Sequence, residues 1–168
     1  AGWTGLTTTD RVATVTLTNA LQFTARFVEL TQDWTALALT ELHYHPPATD
    51  GTSDDPVEFL ELRNTGLVPL DLSGAGFTGG IAFAFAADSI LAPGAYLVLA
   101  EDQSAFAARF PGVAVHGEYG GRLDNGGETL TLGYPGGPEL LSVTYDDRWP
   151  WPTLADGGGA SLQQANFL

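Results

Sequence analysis

Turn-forming residues recur at short intervals along this chain, and that rhythm restricts its fold more than any other feature. Pro46-Pro47, Asn64-Thr65-Gly66, Thr78-Gly79-Gly80, Pro93-Gly94, Asn125-Gly126-Gly127 and Pro135-Gly136-Gly137 punctuate the sequence. Glycine reaches positive φ without steric cost, and proline cannot donate to a backbone ladder. Elements between such breaks must be short. The intervening runs, near 37–44, 57–63, 67–71, 81–85, 94–100, 113–119, 128–133 and 139–145, are apolar or alternate apolar with polar residues. Many short strands bounded by turns predict an all-β sandwich or barrel. With 21 Gly and 10 Pro in 168 residues, the composition exceeds the average share of both and agrees.

Within these runs the side-chain pattern assigns faces. Leu60 and Leu62 fall on one side of a strand, with Phe59 and Glu61 on the other, giving a core face and a partly wet face. Tyr96-Leu97-Val98-Leu99 is almost continuously apolar, as a strand covered on both sides requires. A single helix is expected over Asp102–Phe110. Asp102 can cap it, Phe106, Arg109 and Phe110 share one face, and Pro111-Gly112 stops it. Upstream, Ala13, Val15 and Leu17 alternate with threonines, and Phe23, Ala25 and Phe27 share a face. This predicts a hairpin over 12–28, followed by a connector at 31–35. The expected division is an N-terminal β-hairpin segment at 1–34 and a sandwich domain at 35–168.

An ordered series of motifs adds a family resemblance. Thr40-Glu41-Leu42-His43-Tyr44-His45-Pro46-Pro47 precedes Glu58-Phe59-Leu60-Glu61-Leu62-Arg63-Asn64-Thr65-Gly66 and Val68-Pro69-Leu70-Asp71-Leu72-Ser73-Gly74. Leu91-Ala92-Pro93-Gly94-Ala95-Tyr96-Leu97-Val98-Leu99-Ala100 follows, then Leu123-Asp124-Asn125-Gly126-Gly127-Glu128-Thr129-Leu130-Thr131-Leu132. Val143-Thr144-Tyr145-Asp146-Asp147, Pro150-Trp151-Pro152 and Asp156-Gly157-Gly158-Gly159-Ala160-Ser161-Leu162 close the set. Taken in this order they resemble the lamin tail domain in its bacterial, secreted form, from about Leu37 to Leu162. The resemblance implies an immunoglobulin-like antiparallel β-sandwich with no catalytic residues. It also implies an accessory role in large surface or exported proteins. Gly2-Trp3-Thr4-Gly5 with Thr24-Ala25-Arg26-Phe27 resembles the end of a bacterial surface-protein repeat; the alternative is an extra hairpin of the sandwich.

Charge narrows the partners. Twenty acidic residues face six basic ones, all arginine, for a formal net charge of −14. Binding nucleic acid or anionic lipid needs cationic side chains to replace counterions, so neither is expected as a partner. An acidic surface keeps a protein soluble and attracts divalent cations. Cysteine is absent, which removes disulfides and thiolate chemistry. No apolar run is long enough for a membrane-spanning helix. The sequence contains no Met and shows no signal peptide. A processed or excised piece of a longer chain, with flanking domains, is expected.

Candidate ligand sites are few. Asp50, Asp54 and Asp55 in one loop offer carboxylates suited to calcium; the alternative is turn chemistry. His43 and His45 fall on one side of a strand and could ligate zinc with Glu41 or a distant residue, though three protein ligands are needed and only a pair is visible; the alternative is two partly exposed strand residues with Tyr44 inward. Trp3, Trp34, Trp149 and Trp151 are candidates for glycan stacking, with Trp3, Trp34 and Trp149 taken as the ligand residues. Trp151, held between two prolines, is expected to be structural and to cover an end or edge of the sandwich. His116 with a nearby Asp has no nucleophile-elbow pattern beside it. Glu58 and Glu61 fall on opposite faces of their strand, where they cannot flank one bond. Hence no catalytic site, no certain cofactor and no enzyme is expected. The leading expectation is a non-catalytic interaction or spacer module of a large exported bacterial protein, extracellular or at the cell surface, contacting protein or cell-surface glycan. The alternative is a carbohydrate-binding module of a secreted enzyme.

Overall fold

The fold is a computed structural model that describes residues 2–4, 24–26, 32–47 and 56–164. The chain divides into two units, Ala1–Thr31 and Gln32–Leu168. In the first, β1 (Gly2–Thr4) pairs antiparallel with β2 (Thr24–Arg26), placing Trp3 opposite Ala25. β2 lies within the expected 22–28 run. The expected 12–18 run lies outside the described residues.

The second unit begins with a 3-10 turn, Trp34–Ala36, capped by Asp33, whose carboxylate accepts from the Thr35 N–H. Strands β3 (Leu37–His43), β4 (Phe59–Asn64), β5 (Leu70–Asp71), β6 (Gly76–Gly79), β7 (Phe83–Ala84), β8 (Ile90–Leu91) and β9 (Tyr96–Ala100) follow. Then come helix α1 (Gln103–Arg109), β10 (Val115–Glu118), β11 (Thr129–Gly133), β12 (Glu139–Thr144), a 3-10 turn at Thr153–Ala155, and β13 (Leu162–Gln163). One sheet has the order β10-β9-β4-β3-β13, the other β12-β11-β6-β7, and β5 pairs with β8. This is an all-β, immunoglobulin-like sandwich with one short helix.

The inner faces of the two sheets make the main core. Leu42, Leu60, Leu62 and Leu99 from the first meet Leu130 and Leu132 from the second, and all six are essentially inaccessible. The outer face of β4 and β9 is covered as well. Phe59, Val98 and Ala100 pack against Phe106 of α1, with the Phe59 and Phe106 rings edge-on at 5.3 Å. The expected partly wet face of β4 is therefore half right: Phe59 is buried under the helix, and Glu61 is partly exposed.

α1 forms where its signals predict, with the Asp102 carboxylate accepting from the Ser104 and Ala105 N–H groups. It also changes the topology. A helix between two strands returns the chain in the same direction, so β10 pairs parallel with β9, while the other named strand pairs are antiparallel and an isolated bridge, His45 to Asp156, is parallel. Two other differences have local causes. The run at 67–71 shortens to Leu70–Asp71 because the buried Asn64 amide donates to the Val68 and Leu91 carbonyls, holding a turn that leaves Leu67 exposed. Thr78-Gly79-Gly80, read as a turn, contributes its first two residues to β6, which the neighbours β7 and β11 complete.

Candidate functional site

The two margins of the sandwich differ. On one, Ala82 and Gly120 exchange reciprocal backbone hydrogen bonds of 2.8 Å, lacing the β7 side to the β10 side. Phe83 packs on Gly117 there so closely that a Cβ on Gly117 would lie 2.6 Å from its ring. On the other margin, β12 and β13 are the outermost strands among the described residues. Leu141 and Val143 of β12 stand opposite Leu132 and Leu130 of β11, which places them on the inward face. The β11 pair is buried, whereas the β12 pair is only half-buried.

A cavity of about 300 Å³ opens at this margin, lined by Leu39, Leu42, Val143, Tyr145, Trp151 and Leu162 among others. Trp151 is half-buried and packs on the main core, its backbone N–H donating to the Arg148 carbonyl. It covers an edge of the sandwich, as its two flanking prolines led one to expect. Glu41 at the cavity accepts from the Ser161 hydroxyl. In the adjoining segment Trp149 is 89% and Leu154 67% exposed.

A second group of polar residues is internal. Glu58 is buried, and its Oε2 accepts from the Leu123 N–H at 2.8 Å and the Tyr119 hydroxyl at 3.4 Å. Burial pushes its carboxyl up to about 7, against the pull of the Leu123 N–H. The Tyr119 hydroxyl is also pushed up, by burial and by Glu58. Nearby, Arg122 donates to Glu101 at 2.8 Å. Tyr145 donates to the Asp124 carbonyl and to Glu128, and its ring lies 4.8 Å from that of Tyr44. These contacts tie loops distant in sequence to the start of β4. A carboxyl enclosed this way can hold a proton but offers no reacting atom to a substrate.

The expected ligand residues are not gathered together. Trp34 is half-buried and meets Tyr134 edge-on at 6.2 Å, while Trp149 is open to solvent. Trp3 lies on β1, and its side chain, like Asp50, Asp54 and Asp55, falls outside what the structure describes. His43 packs on Phe59 at 5.4 Å with both ring nitrogens unpartnered. His45 instead contacts Asp156 at 2.6 Å. Among the described residues, no three His, Asp or Glu side chains are placed to hold a metal, and no helix is long and apolar enough to cross a membrane. His116 is exposed against Phe83 and Phe85. Two features escaped the sequence reading: the buried Glu58 and the open margin. Neither has a local signal, since each depends on segments far apart in the chain.

Comparison with known proteins places this geometry in context. A family model described as Lamin Tail Domain matches residues 31–147, more than half of the chain. No curated protein and no solved structure matches significantly.

Proposed function

This chain belongs to the lamin tail domain family, and we propose on that premise that it is a non-catalytic interaction module of a large exported bacterial protein. It makes protein or cell-surface contacts through the open margin of its sandwich. The family is one of non-catalytic immunoglobulin-like modules. The observation that carries the reading is the half-covered apolar interior at Leu141, Val143 and Trp151. Apolar surface left at a strand edge marks a place where another molecule can bind. Among the described residues the carboxyl most altered by its surroundings, Glu58, is only 3% exposed, which supports a packing role for it. The net charge of −14 favours a water-facing surface and opposes nucleic acid and anionic lipid as partners.

A carbohydrate-binding role is the second reading, favoured by the exposed indole of Trp149. Its weakness is that Trp34 and Trp151 are committed to the core.

The proposal is tested by measuring retention of the labelled chain on isolated bacterial envelopes, together with turnover of ester, phosphate, peptide and glycoside substrates. Saturable retention that falls in Val143→Ser and Trp149→Ala variants, without turnover, is expected. Retention indifferent to both substitutions, or turnover that follows the purified protein, overturns it.

A further inference from the structure

β12 is a six-residue edge strand with a single charged side chain, Glu139. Natural edge strands are usually blunted by lysine, proline, a bulge or a covering element. A register shift at Leu140 marks the start of β12, but Leu141-Ser142-Val143-Thr144 carries no lysine or proline. Alternate backbone N–H and C=O groups of an antiparallel edge point away from the sheet. Among the described residues those of β12 pair only with β11. Among the described residues one unused ladder therefore runs beside two half-covered inward side chains and a cavity of about 300 Å³ walled by Trp151, with the Trp34–Ala36 turn and β3 close to β12 but not paired with it. These are the three requirements for adding a strand: main-chain groups for affinity, a pocket for one side chain, and apolar surface to bury.

Charge selects what is added. Glu41 lines the cavity, Glu139 begins β12, and Asp146 and Asp147 follow it, against Arg148 as the neighbouring cation in that segment. A second copy of this chain would bring a further net charge of −14, so self-pairing works against like-charge repulsion. A cationic segment gains from the same field. We infer that the open margin captures an extended, basic polypeptide segment, which pairs with β12 as an added strand and seats an apolar side chain beside Trp151. The inference rests on the margin being the contact surface, and it goes further in naming the chemistry of the occupant.

Fluorescence anisotropy with labelled peptides and the intact chain tests it. The probes are a peptide alternating Lys and Val, the same peptide with a central Pro, and its Glu-for-Lys counterpart. Proline removes a ladder donor and disfavours pairing. Saturable binding of the Lys–Val peptide is expected, weakened about tenfold or more by the proline, by the charge reversal and by Val143→Ser. The double variant Glu41→Gln, Glu139→Gln leaves the apolar lining intact and should weaken binding while flattening its salt dependence. Equal binding of the Lys–Val and proline peptides, or binding indifferent to Val143→Ser, means charge attraction alone and overturns the inference. If no peptide binds but envelope retention still depends on Val143, the occupant is wrong and the contact surface stands; sedimentation and glycan binding then separate a second copy from a sugar. If peptide binding and envelope retention are both absent, both readings fail.

Discussion

Replacing Glu58 by Gln should make this protein more stable at mildly alkaline pH and leave it unchanged in acid. In the fold the Glu58 carboxyl is pushed from the 4.5 of a free glutamate to about 7, chiefly by burial. Folding therefore takes up a proton between those two values. The stability contributed by the protonated group is complete below pH 4.5 and is lost as the pH rises through about 7. At about 1.4 kcal/mol for each tenfold change in proton affinity, the ionised carboxylate costs the fold about 3 kcal/mol. Glutamine keeps the geometry, because its amide oxygen can accept from the Leu123 N–H and the Tyr119 hydroxyl as Oε2 does now. Urea unfolding followed by tryptophan fluorescence, with parent and variant run in parallel, isolates this group from the other acids. The variant should gain about 2–3 kcal/mol on the parent at about pH 8 and nothing at about pH 4. A difference between the two proteins that does not change with pH would refute the reasoning, because it would mean that Glu58 is ionised at no cost.

Trp151→Ala should destabilise by about 2–3 kcal/mol, less than a fully buried tryptophan because its ring is half-exposed at the margin; a melting temperature equal to the parent's contradicts the role. His43→Leu should stabilise by about 1 kcal/mol, since both buried imidazole nitrogens lack partners. Burial, opposed by Glu41, holds the His43 pKa below 6.5, so the parent loses stability as the pH falls below that value and the variant should not; thermal melts across that range check the sign. If the Asp50, Asp54 and Asp55 loop binds calcium, millimolar calcium raises the melting temperature and Asp54→Ala with Asp55→Ala removes the response. Equal melts in calcium and chelator leave the loop as surface charge.

The parts of this fold that were legible are those with local causes. Asp102 and Pro111-Gly112 bracket α1 because caps and breakers act within a turn or two of the chain. β3, β9, β11 and β12 fall inside their expected runs, and β4 runs one residue past its own to Asn64, because alternation and apolar continuity report burial directly. β6 was hidden because glycines that signal a turn can also serve a strand completed by β7 and β11. β8, only two residues long, exists through its pairing with β5. The parallel β9–β10 pair could have been inferred from the helix between them. Glu58 could not: nothing near it announces that Tyr119 and Leu123, some sixty residues later, close over its carboxyl. Trp151 was legible because its prolines are adjacent, while the cavity it walls draws on β3, β12 and β13 together.

The open margin is the central claim, and amide hydrogen exchange of the free chain measures it directly. Exchange reports whether a backbone N–H is paired and how readily that pairing opens. With the margin open, the outward-facing amides of β12 between Leu141 and Thr144 exchange quickly, while the amides of β4 and β9, each flanked by strands on both sides, remain protected. Protection along every residue of β12 equal to that of β4 would mean that the edge is already covered in the free protein, and would contradict the claim.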